Sequence, residues 1–134
     1  MASYPQELSA EGCLERLASH SVGRVAFCST DGPQIYPVNF VMDEGTIVFR
    51  TAAYGPLAAH GHNGEVAFEV DQLDRDLRQG WSVVAVGPAH MLDGNETLDF
   101  TIRHSLQPWA GGPRSLHVRV TPSKITGRQI HGDQ

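Results

Sequence analysis

The sequence has no run of lysine or arginine, no Cys-x-x-Cys pair and no apolar stretch long enough to span a membrane. With a net charge of -5 and a pI near 5.7, the first absence excludes the phosphate-backbone electrostatics of nucleic-acid binding and a basic membrane-surface patch. A membrane span would need ~20 consecutive apolar residues. The amino terminus MASYPQELSAEG has neither the basic start nor the apolar core of a secretory signal, so the chain reads as cytoplasmic. Its two cysteines, Cys13 in a helical pattern and Cys28 in a strand pattern, read as buried free thiols. Charge itself is scarce: 19% of residues are charged, against roughly 25% in globular domains, which points to surface covered by a partner.

What remains is a globular composition, 40% hydrophobic over 134 residues. That is enough for one domain, 1–134, with a core at about 10–130. Ser9 caps a helix to about His20, with Cys13, Leu14, Leu17 and Ala18 as its apolar stripe and Gly23 marking its end. RVAFCS (24–29), the turn cluster STDGP and QIYPVNFVM (34–42) predict a hairpin. Pro37 cannot donate to a ladder, so it belongs at an edge, a bulge or the split between two halves of a sheet. Asp43, Glu44 and Gly45 turn the chain so that Thr46 to Arg50 pairs back as a third strand.

Tyr54-Gly55-Pro56-Leu57 reads as a turn into a short helix, since proline suits the first helical position. Val66 to Val70 is a fourth strand, and DQLDRDLRQG after it reads as a solvated loop or a single turn. WSVVAVGPAHML (81–92) is the longest strand candidate, bent or bulged at Gly87-Pro88. Asn95 caps a second helix to about His104, QPWAGGP is a loop, and LHVRVTPSKITGRQI is a last strand interrupted at Pro122. About six strands and few helices predict a mainly-β fold, a small antiparallel barrel with helices at its rim.

Candidate chemistry concentrates in TIVFRTAAYGPL, residues 46–57, where a strand ends in Arg50 and Thr51 ahead of a glycine turn and a helix start. Such a segment suits an anion. The guanidinium can bind it in bidentate fashion, Thr51 can donate, and free N–H groups at Leu57 and Ala58 would face it. His60 could contribute if protonated. The H-x-H pair His60 and His62 lacks the further ligands of a metal site. His90, His104 and His117 stand alone in regular elements and read as core or interface residues. No G-x-S-x-G elbow occurs, and no base is arranged near Ser82, Ser105 or Ser115, which disfavours a hydrolase.

The segments GRVAF, PVNFV, TIVFRT with its glycine turn, AFEVD, GWSVVAVGPA and VRVTPSKITGR, in that order, resemble the pyridoxamine 5'-phosphate oxidase-like FMN-binding split-barrel family, in its small actinobacterial-type members. The resemblance implies a six-stranded antiparallel split β-barrel with short flanking helices. It implies a homodimer with FMN in clefts between subunits, which accounts for the low charge fraction. The flavin phosphate is expected on Arg50 and Thr51, with Gly55 in the turn and Leu57 beyond it. Where the family carries a lysine this chain has Pro56, a departure that removes a charge-assisted contact worth ~1.5 to 3 kcal/mol.

The same resemblance implies that the isoalloxazine ring lies along Val38, Asn39 and Phe49, with Asn39 its hydrogen-bonder. Trp81, Ser82 or Trp109 from a second copy of the chain is expected to complete the pocket. The implied activity is an FMN-dependent oxidoreductase passing a hydride or electrons between the flavin and a small-molecule substrate. No protein nucleophile or base is then required. Two alternatives stand within the resemblance: a deazaflavin-dependent reductase of the same fold, and a non-catalytic protein that binds flavin or haem.

Overall fold

Apolar residues alternate along the long strands, burying Val25 and Phe27 on one strand, Val66, Phe68 and Val70 on another, and Val118 and Val120 on a third. Alternation of this kind gives a sheet one apolar face, which it hides by curling on itself. The computed structural model describes residues 5–52, 64–92 and 115–131. In chain order the elements are β1 (Gln6–Glu7), α1 (Ala10–Ala18), β2 (Val22–Ser29), β3 (Gly32–Asp43), β4 (Thr46–Ala52), β5 (Glu65–Asp74), β6 (Gln79–Leu92), β7 (Ser115–Val120) and β8 (Lys124–Ile130). Strands β6, β5, β2, β3, β4 and β7 are neighbours in that order, and β7 pairs back onto β6, closing a six-stranded antiparallel barrel. β8 and then β1 extend the sheet beyond β6. The mainly-β barrel expected from the sequence is therefore present, with one short helix among the described residues.

Two strands each serve both halves of the barrel. β3 pairs with β2 over Gly32–Asn39 and with β4 over Phe40–Asp43. Pro37 lies opposite Arg24 in the first half, where β3 has no second neighbour among the described residues, so its missing N–H costs no ladder bond. β6 runs beside β8 from Gly80 to Val86 and beside β7 from Ala89 to Leu92. The change falls at Gly87-Pro88, where the Thr121 N–H donates to the Pro88 carbonyl at 3.1 Å and the Ser123 N–H to the Val86 carbonyl at 2.8 Å. A Cβ on Gly87 would come within 2.1 Å of the Thr121 carbonyl oxygen, so the bend needs glycine.

The barrel interior is lined by Phe40, Ile47, Phe49, Phe68 and the strand valines, with Phe40 and Phe49 both against Phe68 at ring separations of 4.8 and 6.3 Å. Helix α1 packs on β8, β3 and β6 and adds Cys13 and Leu17 to the same core. It is capped as expected, the Gly12 N–H donating to the Ser9 hydroxyl at 3.0 Å. Where it crosses β8, a Cβ on Gly127 would lie 2.7 Å from the Cys13 sulfur, so glycine lets the thiol seat against the strand.

Several expectations are corrected. The helix ends at Ala18, its buried stripe is only Cys13 and Leu17, and Gly23 lies inside β2 rather than at the helix end. Cys28 is exposed, because the alternation that turns Phe27 inward turns its neighbour outward. DQLDRDLRQG is exposed from Gln72 to Gln79, but only Arg75 to Arg78 form a turn. β5 and β6 pair through Asp74 and Gln79, so backbone bonding sustains the hairpin although Leu73 is 73% exposed. The last segment is two strands with different partners, not one interrupted strand. The helices expected after Pro56 and from Asn95 lie outside the described residues. Among the described residues no helix is long and apolar enough to cross a membrane.

Candidate anion site on the outer wall of the barrel

Side chains alternate along β4, so Ile47 and Phe49 enter the core while Val48 and Arg50 face outward. The tight turn that aims β4 has both central residues, Glu44 and Gly45, at positive φ (49° and 82°), the geometry of a type I′ hairpin. Ladder register then assembles the outer wall row by row. Arg50 lies opposite His117 on β7, and His117 opposite Leu92 on β6. In the next row Val41, Val48, Arg119 and His90 follow one another across β3, β4, β7 and β6. Val48, Leu92 and Val41 form a second, smaller apolar cluster outside the barrel interior.

The basic groups on this wall differ in their partners. The Arg119 guanidinium donates to the Asp43 carboxylate at 2.9 Å and to the Thr46 hydroxyl at 2.6 Å. Asp43 is the only carboxylate that these strands place on the wall among the described residues. Arg50 is half-buried, and the Arg50 Nε and His117 Nε2 atoms are both buried. An apolar floor carrying a row of basic nitrogens can hold an anion attached to an apolar body.

The structure brings some predicted site residues together and separates others. Asn39 faces outward and, if the β3–β4 register ran one step further, would oppose Arg50 where β3 leaves β4 for β2. Val38 faces inward and packs on the core. Phe49 is completely buried, its ring stacked on Phe68, so it has no outer surface for a ligand. Thr51 is half-buried and opposite Leu116, and alternation turns its side chain to the face opposite that of Arg50. Gly55, Pro56, Leu57, Ala58, His60, His62, His104 and Trp109 lie outside the described residues.

Trp81 and Ser82 stand near the other end of β6. Ser82 is ten residues from Leu92, about 33 Å of extended strand, so one copy of the chain does not bring them to Arg50. Trp81 meets the His20 ring edge-on at 5.0 Å and lies under the Arg16 guanidinium at 5.7 Å. With Leu73, Arg75, Arg78 and Arg128, Trp81 and Ser82 line an open cleft of about 410 Å³.

From the sequence His117 reads as a lone core or interface histidine, and nothing in its own segment singles out Arg119. The available signal was alternation in LHVRV, which puts both on one face. Their neighbours across β4 follow only from pairing.

On the opposite wall Arg24 bridges Glu69 at 3.3 Å and Asp71 at 3.4 Å. Burial, followed by hydrogen bonding to Asp71 and its charge, pushes the Glu69 carboxyl up to about 7, against the pull of Arg24. Among the described residues no group of three or more His, Cys, Asp or Glu side chains is placed to hold a metal ion.

Comparison with known proteins adds to this geometry. Residues 9–129 match the family model described as pyridoxamine 5'-phosphate oxidase. An uncharacterized protein of Mycobacterium tuberculosis is 31% identical over 132 residues, covering 95% of this chain and 86% of its own. The structure of the FAD binding protein from Mycobacterium smegmatis is 32% identical and covers 94% of this chain and 98% of that one, with a TM-score of 0.71. The FAD and heme binding protein from the same organism, 11% identical, covers 96% of this chain and 76% of that one with a TM-score of 0.69, a likeness of fold.

Proposed function

The chain belongs to the pyridoxamine 5'-phosphate oxidase family, and on that premise we propose that it binds a phosphate-bearing flavin, FMN, on the outer wall around Arg50. It then serves as a cytoplasmic oxidoreductase between that flavin and a small-molecule substrate. The observation that carries this reading is the Arg50 row: a half-buried guanidinium at the end of β4, beside the Val48 and Leu92 floor and opposite His117.

The residues fit such a group. Arg50 holds the phosphate by charge-assisted bonds, and Asn39, on the same face, orients the ring. Thr51 serves the phosphate only from the strand end, because its side chain alternates away. Bound flavin supplies the redox chemistry, leaving the chain to bind, orient and exclude water. The distance between the Arg50 row and the Trp81–Ser82 cleft supports a homodimer in which a second copy brings that cleft to the flavin.

The test is titration of the purified chain with FMN, FAD, riboflavin and a deazaflavin, alongside its absorbance spectrum and solution mass. FMN binding is expected to weaken by ~1.5 to 3 kcal/mol in Arg50→Ala while riboflavin binding holds. Failure to bind any of these at saturation would end the flavin reading, and a strong Soret band would turn it to haem. A second reading, FAD in place of FMN, is favoured by the 32% identity to the FAD binding protein from Mycobacterium smegmatis. Tighter binding of FAD than FMN would select it, and tight binding of the deazaflavin alone would select a deazaflavin-dependent reductase.

A further inference from the structure

The open cleft of about 410 Å³ at the β5–β6 hairpin has a chemistry of its own, apart from the Arg50 wall. Its volume falls in the range of small-molecule sites, ~300 to 1,000 Å³. We propose that it binds a small amphipathic anion, with the apolar body over Gly80 and the acid group among Arg75, Arg78 and Arg128. The cleft is complete in one copy of the chain, so the binding itself does not need flavin. In the homodimer proposed above its occupant lies beside the flavin, and there the inference rests on that reading and names the class of its substrate.

The apolar half of the cleft comes from strand pairing around a bare position. Gly80 on β6 lies between Leu73 of β5 and Ile130 of β8. Those two side chains are 73% and 38% exposed. A Cβ on Gly80 would run into the Gln72 carbonyl oxygen and come within 2.8 Å of Leu73 Cδ2, so glycine keeps the floor between them open. Trp81 lines the same cleft and is itself fixed by the core, by the His20 ring and by Arg16. Apolar surface left in water in this way is covered favourably by an apolar ligand.

The charged half decides what kind of ligand fits. Arg75 and Arg78 reach the cleft from the hairpin turn and Arg128 from β8, and none of the three has a carboxylate partner among the described residues. Asp74 is the one carboxylate lining the cleft among the described residues, and it accepts from the Leu77 N–H at 3.0 Å, which ties it to the turn backbone. Asp71, opposite Ser82, is engaged by Arg24 at 3.4 Å. Arg78 stands at φ 52°, a left-handed conformation that suits glycine, yet the position carries a guanidinium. Guanidinium groups hold an acid group through paired N–H donors, while the apolar floor beside them takes the rest of the molecule.

The experiment uses the full chain without flavin and the fluorescent probe anilinonaphthalene sulfonate, an aromatic body with one acid group. Saturable binding is expected, with octanoate displacing the probe and octanol, which lacks the charge, displacing it about 10-fold less well. Arg78→Gly removes the guanidinium and relieves the backbone, so probe affinity is expected to fall about 10-fold while urea stability holds or rises. Arg128→Gln is expected to lower it about 3- to 10-fold. Displacement by octanol as good as by octanoate would leave only an apolar patch and overturn the inference, as would unchanged affinity in both arginine variants. Affinity that falls as the chain concentration rises would give the cleft to a second copy of the chain, which also overturns it. If FMN fails to bind while the probe behaves as expected, the flavin reading falls and this site stands. If FMN binds and the probe does not, this inference alone fails.

Discussion

On the wall formed by β3, β4, β7 and the far end of β6, Arg50, His117, Arg119 and His90 share the outer face with one carboxylate among the described residues, Asp43, which Arg119 holds. On the wall formed by β2 and β5 the balance is reversed, with Arg24 alone between Glu69 and Asp71. Both walls cover one apolar interior and both arise from the same alternation. The difference lies in which outward residues the ladder register sets side by side. A net charge of -5 averages over the two and hides the basic one. The two walls thus differ by local sorting of charge, which the whole-chain balance does not reveal.

The most severe way to break the contrast is to stop β6 from serving both halves of the barrel. Gly87→Ala forces a Cβ into the backbone at Thr121, which cannot move as a side chain can, and is expected to cost roughly 3 kcal/mol. Urea unfolding measures this, and a loss below about 1 kcal/mol would mean that the bend relaxes freely. A milder break comes on the basic wall. Arg119→Ala leaves Asp43 without its guanidinium in a partly buried site, and stability should fall by about 1 to 2 kcal/mol. Asp43→Asn in the Arg119→Ala background should add little, which a double-mutant cycle would detect.

The smallest effect sharpens the acidic wall. The Glu69 carboxyl lies higher in the folded chain, at about 7, than its ordinary value of 4.5, so the folded state holds the extra proton. Its contribution is therefore fully present below about pH 4.5 and is lost as pH rises through 7. Because Glu69 is partly solvated, about 1 kcal/mol is expected across that window. Glu69→Gln should flatten this part of the stability profile between pH 5 and pH 8. An unchanged slope would assign the titration to another group.

Much of the fold was legible because alternation is local. Val25, Phe27, Val66, Phe68 and Val70 announce their strands, Gly87-Pro88 announces the bend, and Ser9 announces the helix start. Where burial does not shape a strand the sequence was silent. Asp71 to Asp74 looked like solvated loop because only a ladder to Gln79–Ser82 holds them extended. Pro122 looked like an interruption, whereas the chain there changes partners between β7 and β8.

The candidate site was half legible for a related reason. Arg50 stood out in its own segment, but His117 lies far along the chain and becomes its neighbour only through antiparallel pairing. Phe49 illustrates the converse. Adjacent to Arg50 in sequence, it sits on the other side of the barrel wall and belongs wholly to the core.

The seating of helix α1 over Gly127 also gives the molecule a built-in clock. A thiol must ionise and be reached to react, and Cys13 is buried beneath the helix with its thiol pushed up by that burial, only partly offset by Arg16. Cys28 is exposed on the outside of β2. A thiol reagent added to the native chain should mark Cys28 at once and Cys13 only when the helix lifts from β8. The slow phase would then time that opening, with the fast phase as its internal standard, and no label or engineered cysteine would be needed.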